Sequence, residues 1–462
     1  IALVMQACTL FLLPITTIRP GASVKITSTL QLTLACLFAT VPTVYAEDTA
    51  SPPYTFLDAI KAGHNLTSFR LRSEYVDQDN LPENAEALTL RSLIGWQTAP
   101  FKNFSFAAQL IDVGKLVDDY NDRALNVSQP GKANYPNVVD PDNTDINQLF
   151  VDWTGISNTR FRLGRQSVKL DNVRFIGNVE FRQVMQVFDG IAVENKSLPN
   201  TEIYLAHFDR VKQINTKLRS GDLDIANLKY RLSPSESLTG YGYFSNFNDL
   251  GYTVPSGLAA TPAAAESVDA SNKTLGLRLD GSHKFGTAWS GLYTAEYAKQ
   301  DDYSGGDNRI DAHYYHLGAG AMVNSWYLRL DHETLSSNDS KYAFQTPFGT
   351  NHLFQGWADL FLVTPKQGIR DTYLSFGGKP FGSVTLLGEY HIIKSDEDFA
   401  KAGGGTGDTY GGELDLGVMY AWDKHLWFKA EYANFNEKDQ LAAAAARKPD
   451  TEKVWLTVMY TF

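Results

Sequence analysis

The 462-residue chain has almost no cysteine: its two, Cys8 and Cys36, both lie in the first 46 residues. Without them no disulfide can brace the fold, and packing and hydrogen bonds must hold it. Beyond residue 50 the chain also lacks an apolar run of about 18 residues, so no membrane-spanning helix is expected in the mature protein. Basic residues are in deficit, with 41 Lys and Arg against 52 Asp and Glu, a net charge of −11. Removing residues 1–46 takes away Arg19 and Lys25 and no acid, giving −13. That balance argues against a nucleic-acid partner. It leaves a pore open, because there the local charge decides.

Motifs of catalysis are missing as well. There is no GxSxG, Walker loop, HExxH or CxxC. His207 and His332 fall on apolar-facing strand positions with no nucleophile motif beside them, and an enzyme is not expected. His283, His313, His316 and His391 have no carboxylates at metal-site spacing along the chain, so neither metal nor cofactor is expected.

What is present begins with a leader. Lys25 precedes ITSTLQLTLACLFATVPTVYA, an apolar stretch ending in Val44-Tyr45-Ala46. A positive start, a short apolar core and small residues at −3 and −1 read as a secretory signal, residues 1–46, cleaved after Ala46. Residues 1–18 begin with Ile and read as an over-extended start. The rival reading makes Cys36 a lipoprotein acceptor, but LTLA before it fits poorly. Residues 47–65 form a short periplasmic segment, too short for the plug domain of a TonB-type receptor.

From residue 66 to 462, segments of about ten residues alternate apolar and polar side chains. FRLRSEY puts Phe69, Leu71 and Tyr75 on one face and Arg70, Arg72 and Glu74 on the other; RFRLG and LKYRL repeat the pattern. Tight connections such as KSLPN, SPSE and GKPFG alternate with long polar ones near 114–145, 168–185, 248–272, 300–311, 336–369, 395–408 and 437–450. The expectation is an all-β fold. It is a transmembrane antiparallel barrel of about 18 strands, with short periplasmic turns and long extracellular loops. The strands start near 66, 87, 104, 146, 160, 186, 201, 223, 237, 273, 288, 312, 325, 370, 382, 409, 425 and 451. The last segment, KVWLTVMYTF, places Val454, Leu456, Val458, Tyr460 and Phe462 on one face. A final strand of that kind must pair with the first to leave no edge in lipid. Its terminal Phe462 also has the form of a signal for the outer-membrane assembly machinery.

With apolar faces toward lipid, the early strands line the lumen with Arg70, Arg72, Arg91, Arg160, Arg162, Lys229 and Arg231. The later strands present Asp331, Glu333, Glu389, Glu413, Asp415 and Glu431. Facing arcs of opposite charge would set a field across a pore. The alternative is that they pair with one another and are structural. The connection RQSVKLDNVRFIGNVEFRQVMQVFDG carries Arg165, Lys169, Arg174 and Arg182 among the apolar anchors Val173, Phe175, Ile176 and Phe181. An exposed loop has no need of such anchors, whereas a loop folded into the lumen would pack with them. Arg165 breaks the parity of its strand, consistent with that strand ending near Gly164. In LFQGWADLFLVTP, Trp357, Asp359 and Phe361 suit either a gating loop or a loop held inward by its own aromatics.

LGRQSVKLDNVRFIGNVEFRQVMQVFDG and HLFQGWADLFLVTPKQGIRDTY resemble the alginate-export family of outer-membrane porins, a likeness running from about residue 60 to the terminus. The resemblance implies a monomeric eighteen-stranded barrel in the outer membrane of a Gram-negative bacterium, in contact with lipid and lipopolysaccharide. Its arginine-rich constriction would pass an anionic saccharide such as alginate or another uronate. By motif position Arg165, Arg174, Arg182 and Asp189 would lie near that constriction. The acidic arc departs from a uniformly electropositive pore. A general, sugar or small-anion porin for uptake, and a non-transporting adhesin or structural barrel, stay open. A periplasmic partner docking on the short turns also stays open.

Overall fold

A computed structural model describes residues 55–247, 269–286, 288–443 and 446–462. The leader and the connection 248–268 lie outside the described residues. Among the described residues, eighteen long strands follow one another along the chain. They are β1 Ser68–Gln78, β2 Ala85–Gln97, β3 Phe104–Asp119, β4 Asn143–Trp153, β5 Thr159–Gln166 and β6 Val187–Asn195. Next come β7 Thr201–Lys212, β8 Leu218–Ser233, β9 Glu236–Asn246, β10 Asn272–Phe285, β11 Trp289–Asp302 and β12 Asp311–Val323. The last six are β13 Trp326–Leu335, β14 Ile369–Phe381, β15 Val384–Ala400, β16 Thr406–Ala421, β17 Leu426–Glu437 and β18 Thr451–Thr461. Each pairs antiparallel with the next, and β18 closes on β1 from Ser68↔Thr461 to Gln78↔Thr451. The result is a closed barrel with no free edge, as the alternation requires.

Side chains sort by parity. On β18, Lys453, Trp455 and Thr457 are buried inward while Val454, Leu456 and Val458 are half-exposed outward. Leu110, Leu163, Leu277, Leu317 and Leu330 are more than half exposed on the outer wall. These are positions for hydrocarbon rather than water. Aromatic rings cluster at the short-turn end: Phe285 and Trp289 at 4.7 Å, Phe69 and Phe462 at 5.9 Å, and Trp153 and Phe161 at 5.3 Å. They form the girdle expected at one membrane interface. A six-residue helix, α1 Phe56–Lys61, rests against that end. Its Phe56 ring lies 5.8 Å from Phe106, and Ile60 accepts a 2.8 Å hydrogen bond from the Trp96 indole.

Two expectations about connections need correcting. β3 runs on to Asp119 and β15 to Ala400, through residues read from the sequence as loop. The strands continue past the lipid zone, where pairing persists but apolar alternation is no longer required. The connections 79–84 and 213–217 are short although they lie at the long-loop end.

The hydrophobic core lies inside the cylinder. Phe175, Ile176, Phe344, Phe348, Trp357 and Phe361, all from connections, pack against inward residues such as Tyr241, Tyr314, Tyr410, Phe435 and Trp455. Burying each such aromatic contributes roughly 1.5–3 kcal/mol.

Candidate functional site: two loops folded into the lumen

Loop A (167–186, between β5 and β6) and loop B (336–368, between β13 and β14) both turn inward and meet. Their backbones pair at Ile176 and Phe348. Gly177 N–H donates to the Phe348 carbonyl at 2.8 Å, and Thr350 N–H to the Val173 carbonyl at 2.9 Å. Gln186 donates to the carbonyls of both Gly177 and Phe348, at 2.9 and 3.0 Å. A Cβ on Gly177 would stand 2.2 Å from the Thr350 hydroxyl, so only glycine permits the approach.

The early-strand arginines grip loop A. Arg70 donates to Gln183 Oε1 at 2.8 Å and to the Glu180 carbonyl at 2.7 Å, and also to the Arg182 carbonyl. Arg72 donates to the Phe181 carbonyl, with its guanidinium 3.9 Å above the Phe181 ring. Arg91 is fully buried beside them. Arginine suits this work because its planar fork reaches several carbonyls at once.

The later-strand acids grip loop B and loop A's outer arginine. Glu413 accepts from Ala358 N–H at 2.5 Å and Asp415 from Trp357 N–H at 3.3 Å. Glu333 pairs with Arg174 at 2.9 Å, and Arg174 also donates to Gln355 at 3.0 Å. Gly356 has φ +84°, and a Cβ there would meet the Glu413 carboxylate at 2.3 Å. That is why the short turn before Trp357 carries glycine.

Where the loops join, Arg182 bridges Glu74 at 2.9 Å and Asp359 at 2.7 Å. Asp359 also accepts from His352 Nδ1 at 2.8 Å and lies 3.5 Å from Lys453. His352 stacks on Phe181 with ring centres 3.3 Å apart. Burial opposes ionisation of Asp359, but His352, Lys453 and Arg182 outweigh it and hold the carboxyl well below the usual range. Burial pushes the His352 imidazole down, and Asp359 offsets this only in part.

The remaining expected residues are spread round the wall. Arg162 forks onto Asp152 at 2.7 and 2.8 Å, Arg160 pairs with Glu194, and Arg231 pairs with Glu202 at the short-turn mouth. Lys229 reaches Asp171 of loop A at 3.1 Å. Asp331 takes His316 at 2.9 Å and Arg329 at 2.7 Å, and Glu431 takes Lys429 at 2.5 Å. Glu389 stands 3.6 Å from His391.

Arg165 and Asp189 do not join the lumen cluster, contrary to the motif-based expectation. β5 continues to Gln166 with its parity intact, and Arg165 sits opposite exposed Leu149. Arg165 forks onto Asp189 at 2.7 and 2.9 Å on the outer face, near the long-loop end. Sequence reasoning passed over Gln183 and His352. Both lie in loops, where no period marks a side chain as inward.

On the long-loop side, a cavity of about 390 Å³ opens above the joined loops. Arg123, Arg182 and Arg219 line it together with Asn126, Gln213, His352 and Asp359. A closed barrel with an apolar outer belt, an aromatic girdle and inward-folded loops is the architecture of an outer-membrane channel. The Alginate export family model matches residues 67–330, more than half of the sequence, and the chain belongs to that family. No curated protein matches the sequence.

Among solved structures, OpdK of Pseudomonas aeruginosa with vanillate is similar at 14% identity over 85% of this chain and 97% of that one, TM-score 0.61. OpdO of the same organism is similar at 12% identity over 87% and 98%, TM-score 0.62. OccAB4 of Acinetobacter baumannii is similar at 14% identity over 85% and 97%, TM-score 0.61. At these identities the likeness is one of fold. Family and fold are those of channels of the Gram-negative outer membrane, which are not enzymes.

Proposed function

We propose that the channel passes anionic saccharides, uronate oligomers or polymers, through the arginine-bearing vestibule above the two loops. The observation that carries this reading is the lining of the 390 Å³ cavity, where three arginines face one acid. That acid, Asp359, is already occupied by Arg182, His352 and Lys453. Arg182 is itself committed to Glu74 and Asp359, so a carboxylate solute would meet chiefly the charge of Arg123 there, and a guanidinium binds a carboxylate through two parallel hydrogen bonds. Family membership supports the saccharide class.

A second reading, uptake of small carboxylates, is favoured by the vestibule's modest size, which suits a small molecule. The fold relative OpdK was solved with vanillate, itself a carboxylate. The test is a planar-bilayer measurement with a potassium chloride gradient, followed by addition of oligouronates of increasing length. Anion-selective current with block that strengthens with chain length supports saccharide passage, and Arg123→Gln should weaken that block. Block by monomeric acids alone supports the second reading. Cation selectivity with no block by either would refute both.

A further inference from the structure

The inner wall carries one cluster that neither loop fully uses. Glu389 and His391 lie two apart on β15, and Asp415 on β16 stands directly opposite Glu389. Their donor atoms all fall within 4.8 Å of one another. The His391 ring is fixed from two sides, with Nδ1 hydrogen-bonded to Asp371 Oδ2 at 2.8 Å and Tyr373 stacked at 4.8 Å. The side chain of His391 is 2% exposed, and its Nε2 has no hydrogen-bond partner. Glu389 Oε2 and Asp415 Oδ2 each lie 3.6 Å from that nitrogen, too far for a hydrogen bond. Asp415 Oδ1, Asp371 Oδ1 and Glu413 Oε2 are buried without partners too. Among the described residues, no lysine or arginine forms an ion pair with Asp371, Glu389, Glu413 or Asp415.

A buried imidazole nitrogen aimed between two carboxylates, with no hydrogen bond to either, is a donor set that suits a cation. We propose that Glu389, His391 and Asp415 bind a divalent transition-metal cation of the Zn²⁺ type, with Asp371 orienting the His391 ring. Two donors about 2.1 Å from a tetrahedral ion stand about 3.4 Å apart, close to the 3.6 Å from His391 Nε2 to each carboxylate, within a donor set that spans at most 4.8 Å. One nitrogen and two carboxylate donors suit zinc-like ions better than Ca²⁺ or Mg²⁺, which favour all-oxygen shells. A carboxylate on the far ring nitrogen is the usual support for a ligating histidine. Three protein ligands leave a fourth position open, and Glu389, the most exposed of the three, marks the lumen as the route in. Asp415 also accepts the Trp357 N–H, so the ion would be coupled to the anchorage of loop B.

The experiment uses the full chain folded in detergent, stripped with EDTA, and titrated with Zn²⁺ against a chromophoric indicator. Co²⁺ substitution then reports geometry by visible absorption. The expected result is one equivalent of Zn²⁺ per chain. His391→Gln should abolish it, Glu389→Gln should weaken it at least tenfold, and Asp371→Asn should weaken it about ten- to a hundredfold. Glu389→Gln takes no hydrogen bond from either loop, so folding, read by heat-modifiable gel mobility, should be kept. Absence of stoichiometric uptake by the wild type overturns the proposal. So does equal uptake by the wild type and both ligand variants, or displacement of Zn²⁺ by equimolar Ca²⁺.

Discussion

Arg182 of loop A and Asp359 of loop B meet at 2.7 Å, both almost fully buried, while Arg182 reaches Glu74 on the barrel wall with its other nitrogen. One guanidinium thus ties two loops and a strand together. Removing one partner of such a buried pair leaves an uncompensated charge, at a cost on the order of 3–5 kcal/mol. Asp359→Ala should therefore release the loops while the barrel stays folded. Limited proteolysis within 336–368 should speed up at least tenfold, and single-channel current should become noisier. Unchanged cleavage and quiet current would show that the pair is not the tie.

Gly356→Ala is the steric counterpart. The new methyl would enter the left-handed region at a cost of roughly 1–2 kcal/mol and meet the Glu413 carboxylate at 2.3 Å. Loss of the Ala358 N–H bond to Glu413 should follow. Hydrogen exchange at Ala358 is the measurement, and full retained protection would count against this account of the turn.

Acid should loosen the loops through His352. Burial holds its imidazole below the ordinary value, so the docked form binds fewer protons than the released form. As pH falls from about 7 through the free-histidine pKa of about 6.5, released His352 gains a proton that docked His352 refuses, and docking weakens. Channel noise should rise between pH 7 and pH 5, and His352→Gln should flatten that dependence. Loops that tighten on acidification would reverse the sign and end the argument.

Arg70→Met separates anchoring from selectivity. Arg70 is spent on Gln183 and on the Glu180 and Arg182 carbonyls, so the substitution orphans acceptors at about 1–3 kcal/mol each. The reversal potential should stay near that of the wild type while loop A becomes accessible to protease. A large shift in selectivity with loop A still protected would instead return Arg70 to the ion path.

The barrel was legible because lipid outside and packed polar groups inside force a period of two. Phe69, Leu71 and Tyr75 against Arg70, Arg72 and Glu74 display that sorting in a single strand. The apolar anchors of loop A were legible for a related reason: Phe175 and Ile176 make no sense in water. Partnership was not legible. Nothing in the order of residues shows that Arg70 holds a carbonyl or that Glu413 holds an amide, since both contacts cross the lumen between distant segments. Arg165 misled because a charge on the outer face above the lipid zone imitates a strand that has ended. His391 looked isolated because Asp371 and Asp415 come from the two neighbouring strands, and Glu389 alone lies along its own.

The pairing of β18 with β1 along eleven residues carries a consequence for biogenesis. The seam joins β1 to β18, nearly 400 residues apart in the chain, so no cylinder exists until both strands have been made. Until then the polypeptide must cross the periplasm unsealed, with its lipid-seeking side chains exposed to water and prone to aggregate. A truncation that deletes only β18 should leave a species degraded before it reaches the membrane.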